Sequence, residues 1–564
     1  MENVDSKSGF CSDSRTFHSL RPPVHLPPPH SPLSASQYAL SLRLKSPWPD
    51  SVPALIDAAS SHRVSFSEFI HFSQTLASNL QSVVGLSKGD TAFVLSPNLI
   101  KVPILYFALL SLGVVVSPAN PISTRAEISH LFQLSSPVIA FTTSSTAQNL
   151  PHSLRLGVIL LDSPEFDSLM TTARSLTKPV VPRVEVSQSD IAAILYSSGT
   201  TGKVKGVMLS HRNLIALAAS YDASRPQRER PAVFLYTIPY FHVYGFTYCL
   251  RSVVLSETVV LMERFRMEKM LRAVDEFRVT HLAVTPPVVV AMAKGDVTDG
   301  YDLSSLEGIS CGAAPLGKDA VAAFKSKFPG VVLGQGYGLT ETTASICRTT
   351  GEGDATKTGT TGKLIAGVEA KIVDPDTGLP LSPGQEGELW LRGPSIMKGY
   401  VGDPDANSST FVGGWLRTGD LCYFDHQGYL YVVDRLKELI KYKGYQVAPA
   451  ELENLLQSHP QIKDAAVIPY PDEEAGQVPM AFVVRQPHSS LSEADVIDFV
   501  AKQVCISHPY GACSIFELSP NFSYEWLLGD IFTSDIFLVF KWSFKNLTQK
   551  KWSFKKDELW FFFF

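Results

Sequence analysis

The stretch Tyr196-Ser-Ser-Gly-Thr-Thr-Gly-Lys-Val-Lys-Gly206 decides how this sequence is interpreted. Its glycines allow backbone N–H groups to turn toward an anion, its serines and threonines add hydroxyl donors, and its lysines add positive charge. An apolar run at 191–195 leads into the stretch, and residues 207–211 lead out toward a helix beginning near Arg212. The pattern predicts a strand followed by a loop that holds a polyphosphate.

The spacing of these glycines differs from that of a Walker P-loop. A Walker motif requires glycine, four residues and then Gly-Lys-Ser/Thr, so a kinase of that type is disfavoured. The competing interpretation is a Gly/Ser/Thr-rich surface loop without a ligand. The apolar strands predicted on both sides of the loop favour the phosphate-binding interpretation.

Composition excludes several classes of protein. The chain has 564 residues, 45% of them hydrophobic and 18% charged, which predicts several domain-sized units with large cores. A net charge of −5 argues against nucleic acid as a partner. The seven cysteines are scattered without metal spacing, which favours a reducing compartment. A cytoplasmic location and a monomeric state are expected. Residues 526–540 are apolar but are interrupted by Asp530 and Asp535, so no integral membrane span is expected.

Alternation along the chain predicts its organisation. Residues 1–50 are Ser- and Pro-rich and are predicted to be an irregular surface arm. Strands at 92–95, 114–117, 258–261, 281–284 and 331–333, with helices at 102–112 and 267–277, predict helix-covered parallel sheets. Residues 359–434 contain short strands and many turns, which predicts a small antiparallel barrel or sheet. Residues 437–504 predict a compact α/β unit, and the residues after 504 show no consistent period.

Further motifs follow the phosphate loop in chain order. They are PYFHVYG at 239–245, SCGAAPLG at 310–317, GQGYGLTET at 334–342, WLRTGDL at 415–421, DRLKELIKYKGYQVAPAELE at 434–453 and PDEEAGQVP at 471–479. Together they resemble the signature of adenylate-forming enzymes, which include acyl-CoA synthetases, 4-coumarate–CoA ligases, firefly luciferase and peptide-synthetase adenylation domains. The last long motif is most similar to plant 4-coumarate–CoA ligases and their ligase-like relatives.

The resemblance implies an α/β fold with two parts. The large N-terminal part consists of two helix-covered sheets plus a small β-barrel, and a small mobile α+β domain follows it. The implied limits are 51–434 for the AMP-binding adenylation domain, 435–504 for a partial C-terminal domain and 505–564 for an aberrant tail. In the implied reaction, a carboxylic acid attacks the α-phosphate of Mg²⁺-bound ATP, and the thiol of coenzyme A then displaces AMP.

The resemblance also implies a nucleotide site. Thr340 would contact the α-phosphate, Glu341 would ligate magnesium, Asp420 and Arg435 would bind the ribose, and Tyr337 would stack on adenine. The nucleotide-binding residues are Ser197, Ser198, Gly199, Thr200, Thr201, Gly202, Lys203, Gly312, Ala313, Ala314, Gly336, Tyr337, Gly338, Thr340, Asp420 and Arg435. Structural roles compete with these assignments: Thr-Glu also caps helices, Thr-Gly-Asp also forms turns, and a lone tyrosine is usually a packing residue.

The acid and CoA sites are implied in the same way. The acid would lie against Tyr240, His242, Tyr244, Gly312, Gly336 and Ala344. Thr340, His242, Lys441 and Gln446 would be the catalytic residues, the last two in the CoA half-reaction, and Lys437 would mark the hinge. A lone histidine is more often a hydrogen-bonded structural residue, and an exposed lysine is most often solvated.

Two departures from the family pattern modify these expectations. After Thr-Glu, the pocket-lining Ala-Gly-Pro-Val of 4-coumarate ligases is replaced by residues 342–345 (TTAS), which favours the ligase-like branch. The acid is accordingly expected to be a hydroxycinnamic, fatty or oxylipin acid. No Gly-Lys pair follows Val504, although family members carry there a lysine that enters the site during adenylation. The alternatives are a nucleotide-binding form with impaired catalysis and a luciferase-like oxidase. A terminal peroxisomal signal, possible in intact relatives, is not recognised.

Overall fold

The computed structural model describes residues 3–151, 154–172, 184–197, 204–442, 445–472, 476–486, 489–507 and 536–539. In this part of the chain, the helices are α1 (Ala35–Arg43), α2 (Phe66–Ser82), α3 (Lys101–Ser111), α4 (Arg125–Ser135), α5 (Pro164–Thr171), α6 (His211–Ala223), α7 (Val243–Leu255), α8 (Met267–Glu276), α9 (Pro286–Ala293), α10 (Lys318–Lys327), α11 (Gly351–Ala355), α12 (Pro404–Thr410), α13 (Pro449–Ser458) and α14 (Glu493–Ser507). None of them has the length and apolarity needed to span a membrane.

The strands of the same residues are β1 (Phe10–Cys11), β2 (Thr16–His18), β3 (Pro53–Asp57), β4 (Arg63–Ser65), β5 (Thr91–Leu95), β6 (Val115–Ala119), β7 (Ile139–Thr142), β8 (Val158–Leu160), β9 (Ile191–Ser197), β10 (Lys205–Ser210), β11 (Val233–Tyr236), β12 (Thr258–Leu261), β13 (His281–Val284), β14 (Gly308–Cys311), β15 (Val332–Leu339), β16 (Ala344–Arg348), β17 (Lys363–Leu364), β18 (Glu369–Val373), β19 (Gly387–Arg392), β20 (Gly399–Tyr400), β21 (Phe411–Val412), β22 (Trp415–Phe424), β23 (Leu430–Arg435), β24 (Ile440–Tyr442), β25 (Tyr445–Val447), β26 (Ile462–Asp472), β27 (Gly476–Arg485) and β28 (Ile536–Val539).

These elements form two compact units. The first comprises Met1–Ala313, Ala322–Thr418 and Tyr423–Tyr431, and the second comprises Ala314–Val321, Gly419–Cys422 and Val432–Phe564. The α/β class, with a large N-terminal part and a small C-terminal part, is confirmed. The domain limits 51–434 and 435–504 remain predictions.

The first sheet of the large unit has the order β20-β10-β9-β6-β5-β7-β8. Strands β9, β6, β5, β7 and β8 are parallel, and every residue of β5 and β7 is buried. Continuous apolar strands of this kind are typical of a sheet covered on both faces. The strands predicted at 92–95 and 114–117 and the helix predicted at 102–112 are confirmed as β5, β6 and α3, with ends shifted by a few residues.

The second sheet has the order β17-β16-β15-β14-β13-β11-β12-β3-β4. Its interior strands, from β15 to β3, are parallel, and antiparallel strands form both edges. The predicted strands 258–261 and 281–284 are confirmed as β12 and β13. The strand predicted at 331–333 is longer, because β15 continues beyond its parallel neighbour β14 and pairs with β16 as a hairpin. That extension carries several of the predicted site residues.

The third sheet is antiparallel, with the order β1-β2-β18-β19-β22-β21 and with β23 beside β22. Strands β1 and β2 come from residues 1–50, which were predicted to form an irregular arm. That prediction is wrong for β1, β2 and helix α1. Strand β2 pairs with β18, and the fully buried Phe17 stacks on Phe424 with ring centroids 4.5 Å apart. Helix α1 begins with a capping box formed by Ser34 and Gln37. The partners of this segment lie hundreds of residues away, so local composition does not reveal them.

The small unit contains a sheet with the order β25-β24-β27-β26, with β28 beside β27. Helices α13 and α14 bury Leu456 and Val496 against strand residues such as Ile440, Ile462 and Val483. Helix α13 begins at Pro449 as predicted. Strand β28 lies in the tail for which no period was found. Its backbone pairs with β27, Val484 opposite Ile536, and such long-range pairing leaves no local sequence pattern.

Candidate active site

The Thr340–Thr342 segment forms a tight 3₁₀ turn between β15 and β16. The Thr342 hydroxyl donates to the Ala344 carbonyl (2.7 Å) and accepts from the Leu339 N–H (2.8 Å). Thr343 has a left-handed backbone (φ 59°), which is unusual for a β-branched residue. Strained backbone of this kind is concentrated at functional sites. The turn therefore holds Thr340 and Glu341 in a defined backbone conformation. The segment is a short 3₁₀ turn rather than the start of an α-helix, which was the alternative interpretation.

Glu341 is held by a tyrosine that the sequence reasoning did not identify. The Tyr400 hydroxyl donates to Glu341 Oε1 (3.0 Å), and the Met397 N–H donates to the Glu341 carbonyl (2.9 Å). Burial, followed by the Glu341 charge, raises the pKa of Tyr400 well above its ordinary value, so the hydroxyl remains protonated. The only sequence signal was the position of Tyr400 in the short segment Met397–Tyr400, which no predicted motif included.

Strand β10, which follows the predicted phosphate loop, lies against the Thr340–Thr342 turn. Strands β9 and β10 are antiparallel neighbours, with Ser197 opposite Lys205, and the 3₁₀ turn lies against both. Strand β20 pairs with β10, and the Lys205 ammonium lies over the Tyr400 ring, 4.8 Å from its centroid. Residues Ser198, Gly199, Thr200, Thr201, Gly202 and Lys203 of the predicted loop lie outside the described residues. Both described flanks of the loop therefore meet the Thr340–Glu341 turn.

The Glu341 carboxylate fits the magnesium role that the resemblance implies. It is 8% exposed, and its described side-chain partner is a neutral hydroxyl rather than a cation. A buried carboxylate is unfavourable without a positive charge, and its hard oxygen suits a hard cation. No cluster of three or more His, Cys, Asp or Glu occurs in the described part of the chain. An ion here would complete its coordination with phosphate and water oxygens, as Mg²⁺ commonly does.

The predicted adenine site lies on the β15–β16 hairpin. Tyr337 is opposite Cys347, and a bulge separates Tyr337 from Gly338. A Cβ atom on Gly338 would lie 1.8 Å from the Ala344 carbonyl oxygen, so only glycine fits there. Ala313, on the other predicted wall, has a left-handed backbone (φ 76°). The hairpin brings Tyr337, Gly338 and Thr340 together; Ala314 belongs to the small unit.

Gly338→Ala is expected to lower the free energy of unfolding by about 3–5 kcal/mol, because its Cβ would collide with backbone that cannot move away. Chemical denaturation monitored by fluorescence measures the change. Gly334→Ala is the matched control on the same strand, since its Cβ would make only ordinary contacts of 3.7 Å. Equal stability of the two variants would contradict the described hairpin.

His242 is the N-cap of α7. Its Nδ1 accepts from the Tyr244 N–H (3.2 Å), and burial lowers its pKa to about 4. The imidazole is therefore neutral at physiological pH, with its proton on Nε2, and can donate to an acyl or phosphate oxygen. The Tyr244 hydroxyl donates to the Ser310 carbonyl (3.2 Å), and a Cβ on Gly312 would lie 3.8 Å from the Tyr244 ring. Tyr244 and Gly312 are thus neighbours, as the acid site requires.

Tyr240 lies just before α7. Its ring is buried in the core, where it lines a small cavity together with Phe66, Phe69 and Tyr236. The substrate-binding role of Tyr240 stays a prediction. Ala344 is buried beside the 3₁₀ turn with a φ of 71°.

The small unit brings together the remaining predicted residues in pairs. Arg435 Nε lies 3.4 Å from Asp420 Oδ1, and the Leu436 N–H donates to the Gly419 carbonyl (2.9 Å). Lys441 and Gln446 are directly opposite each other on β24 and β25, and both are exposed. The ribose role of the first pair and the role of the second pair in the CoA half-reaction stay predictions.

The hinge prediction for Lys437 falls beside a structured junction. The Lys437 ammonium lies 3.7 Å from Glu438. The neighbouring Asp434 accepts from the Ala450 N–H at the start of α13 (3.0 Å) and from the Arg435 N–H (2.7 Å). Burial raises the pKa of Asp434. Asp434 therefore fixes the segment that contains Lys437 to α13, and the hinge role of Lys437 stays a prediction.

Residues 46–401 match the AMP-binding enzyme family, and residues 451–509 match the AMP-binding enzyme C-terminal domain. The chain belongs to the AMP-binding enzyme family. Among relatives, it is 50% identical over 514 residues to 4-coumarate–CoA ligase-like 9 of Arabidopsis thaliana, covering 89% of this chain and 91% of the relative. It is 44% identical over 515 residues to peroxisomal OPC-8:0-CoA ligase 1 of the same plant, covering 89% and 93%.

Solved structures of AMP-binding enzymes have the same fold. The o-succinylbenzoate CoA synthetase of Bacillus subtilis, in complex with the acyl-adenylate OSB-AMP, matches with a TM-score of 0.71 at 28% identity, covering 83% of this chain and 91% of that one. ATP-bound MatB of Rhodopseudomonas palustris matches with a TM-score of 0.72 at 26% identity, covering 84% and 92%. The chain is therefore a 4-coumarate–CoA ligase-like member of the family by sequence, and its fold is that of the solved AMP-binding enzymes.

Proposed function

We propose that this AMP-binding enzyme, an ATP-dependent acid–CoA ligase, forms an acyl-adenylate from Mg²⁺-ATP and a fatty or oxylipin acid and transfers the acyl group to coenzyme A. The contact between Glu341 and Tyr400, beside Lys205, carries the proposal. It joins a buried carboxylate suited to magnesium to the exit strand of the phosphate loop. Bound magnesium would neutralise phosphate charge as the carboxylate of the acid approaches phosphorus.

The chain's own residues support each half of the reaction. The Thr340 hydroxyl, fixed by its turn, can donate to a phosphate oxygen, and neutral His242 can donate to the acyl carboxylate. In this proposal Asp420 and Arg435 of the small unit bind the ribose, and Lys441 with Gln446 serve the CoA step; the pairing of each set supports a shared role. Neither half-reaction needs a nucleophilic side chain, and burial raises the pKa of the Cys311 thiol to about 12, which leaves it unreactive.

The acid class is proposed from the residues after Glu341. Ser345 lies opposite Gly338, at a position that resembles a pocket-lining position of 4-coumarate ligases. The replacement of the Ala-Gly-Pro-Val segment of 4-coumarate ligases by residues 342–345 favours fatty or oxylipin acids over hydroxycinnamic acids. The likeness to an OPC-8:0-CoA ligase supports the same class of acid. Cysteines 249, 311 and 347 are buried and form no disulfide, which supports a cytoplasmic location.

An acid panel tests the proposal. Purified protein is incubated with ATP, magnesium, CoA and fatty, oxylipin or hydroxycinnamic acids, and AMP and acyl-CoA are quantified. AMP release with fatty or oxylipin acids is expected. Release with hydroxycinnamic acids alone would correct the acid class, and light or peroxide would indicate the luciferase-like oxidase. Absence of AMP with every acid, from both this chain and a variant with a family C-terminus, would contradict ligase activity.

A second candidate is a form that binds nucleotide but adenylates slowly. The observation that favours it is the sequence after Val504, where no Gly-Lys pair supplies the lysine that the family uses in the adenylation step. This form would bind ATP with little turnover yet convert a supplied acyl-adenylate to acyl-CoA, because Lys441 and Gln446 remain. Comparing those two measurements separates the candidates.

Tyr400→Phe is expected to raise the magnesium concentration for half-maximal activity by about tenfold or more, because it removes the hydroxyl that orients Glu341. Magnesium titrations of adenylate formation measure the change. Tyr429→Phe is the matched control: its hydroxyl also donates to a carboxylate, that of Asp354 at 3.0 Å, away from the turn. An unchanged magnesium dependence for Tyr400→Phe would show that Tyr400 only packs.

A further inference from the structure

A buried cluster of aromatic and arginine side chains begins next to Tyr244. The Tyr244 ring packs edge-to-face on Tyr248, with centroids 4.6 Å apart. Tyr248 lies 6.5 Å from Tyr221 on α6, and the Arg348 guanidinium lies 4.6 Å from the Tyr221 ring centroid. A continuous series of contacts therefore connects the predicted acid-binding residue Tyr244 with Arg348.

The hydrogen bonds of Arg348 are incomplete in the described structure. Its Nη2 donates to the Ser220 carbonyl (2.7 Å) and to the hydroxyls of Ser220 and Ser224 (both 3.0 Å). Its Nη1 is buried and has no hydrogen-bond partner. A buried N–H group without an acceptor is unfavourable, and buried polar groups in native proteins are nearly always paired. A ligand oxygen would supply the acceptor.

The charge of the cluster also favours an acceptor. Arg251 forms an ion pair with Glu257 (2.8 Å), so one carboxylate balances one guanidinium. The described hydrogen-bond acceptors of the Arg348 side chain are neutral, which leaves its positive charge in excess. Burial lowers the pKa of Arg348 to about 10, and the side chain remains protonated at neutral pH. The cluster therefore favours a negatively charged or strongly polar oxygen.

Arg348 also lies directly beside the predicted acid site. It is opposite Gly336 on the β15–β16 hairpin. A Cβ on Gly336 would lie 3.4 Å from Ser345 Oγ and 3.9 Å from the Cβ of Arg348. Gly336, Gly312 and Tyr244 were all expected to contact the acid. Ser345 and Arg348 are thus the polar side chains of the hairpin that lie beside Gly336.

We propose that the Arg348 guanidinium, with the rings of Tyr221 and Tyr248, forms the far end of the acid site and binds a carbonyl or carboxylate oxygen remote from the reacting carboxyl group. The proposal rests on the proposed ligase function and narrows its substrate class. The preferred acids carry a second oxygen function at the end of an otherwise apolar chain. The methylene groups between the two ends would pack against Tyr244 and the glycines.

Binding of acyl-adenylate analogues tests the proposal without requiring turnover. In three such analogues, a sulfamoyl group replaces the phosphate, and the acyl chains have equal length but end in a methyl group, a ketone or a carboxylate. Calorimetry should show at least about tenfold tighter binding of one or both oxygen-bearing analogues to the unmodified chain. Comparing the ketone with the carboxylate identifies which oxygen function the site accepts.

Arg348→Met should remove this preference, so that the methyl-ended analogue binds at least as tightly as the oxygen-bearing ones. Arg392→Met is the matched control, since Arg392 also stacks on an aromatic ring, that of Trp415, but lies on another sheet. Equal affinity of the three analogues for the unmodified chain would overturn the subsite while leaving ligase function intact. Retention of the preference in Arg348→Met would also overturn it. Failure of every analogue to bind would overturn both the subsite and the proposed function.

Discussion

Glu341→Gln is expected to reduce the rate of acyl-adenylate formation by about 10²–10³-fold. The substitution keeps the size of the side chain and can still accept from the Tyr400 hydroxyl, so the turn should remain intact. It removes the negative charge that would hold magnesium against the phosphates. Because magnesium stabilises charge that develops in the transition state, the loss should appear mainly in kcat rather than in the affinity for ATP.

The measurement is pyrophosphate exchange at saturating magnesium, together with binding of a fluorescent ATP analogue. Glu388→Gln is the matched control, since Glu388 is also a buried carboxylate but is held by Arg417 and the Trp390 indole on β19. That variant should lose stability and keep its exchange rate. An exchange rate of Glu341→Gln equal to that of the unmodified chain would remove the assignment of Glu341 to the metal.

Replacing residues 505–564 with a family C-terminus that contains the Gly-Lys segment is expected to raise the adenylation rate by about 10²–10³-fold. In the family, that lysine bridges the carboxylate and phosphate charges of the transition state. A single preorganised charge in an active site contributes an effect of this size. The second half-reaction, from a supplied acyl-adenylate to acyl-CoA, should change little, because Lys441 and Gln446 lie before the junction.

Pyrophosphate exchange and acyl-CoA formation from synthetic acyl-adenylate measure the two half-reactions separately. The control carries the same graft with the lysine of its Gly-Lys segment replaced by alanine, which separates a catalytic gain from a general gain in stability. Equal exchange rates for the grafted and unmodified chains would show that this form adenylates without that lysine. A gain that the alanine control shares would assign the effect to folding.

Local patterns predicted the elements that depend on local physics. The apolar runs that became β5, β12 and β13 were recognised because strands buried on both faces require continuous hydrophobic residues. Pro449 marked the start of α13 because proline is well tolerated in the first turn of a helix. The motif around Thr340 was also recognised, because a hydroxyl next to a carboxylate is suited to bind phosphate and a metal ion.

Non-local partners decided what the patterns did not show. Phe17 lies in a segment of irregular composition, yet it is buried against Phe424. Tyr240 stands in a recognised motif, and only the fold shows that it lines a small cavity with Phe66 and Phe69. Tyr400 lies outside every motif identified in the sequence, and only folding brings its hydroxyl to Glu341.

The amino-acid sequence by itself determined the family, several of the buried strands and helices, and the residue types proposed to hold ATP. Tertiary structure decided which of those residues lie together, as Tyr337, Gly338 and Thr340 do on the β15–β16 hairpin. The fold also connects Arg348 with Tyr244 through the rings of Tyr221 and Tyr248, and it leaves Arg348 Nη1 buried without a hydrogen-bond partner. The physical reason is range: propensity and periodicity act over a few residues, whereas hydrogen bonds, burial and charge join residues that are distant in the chain.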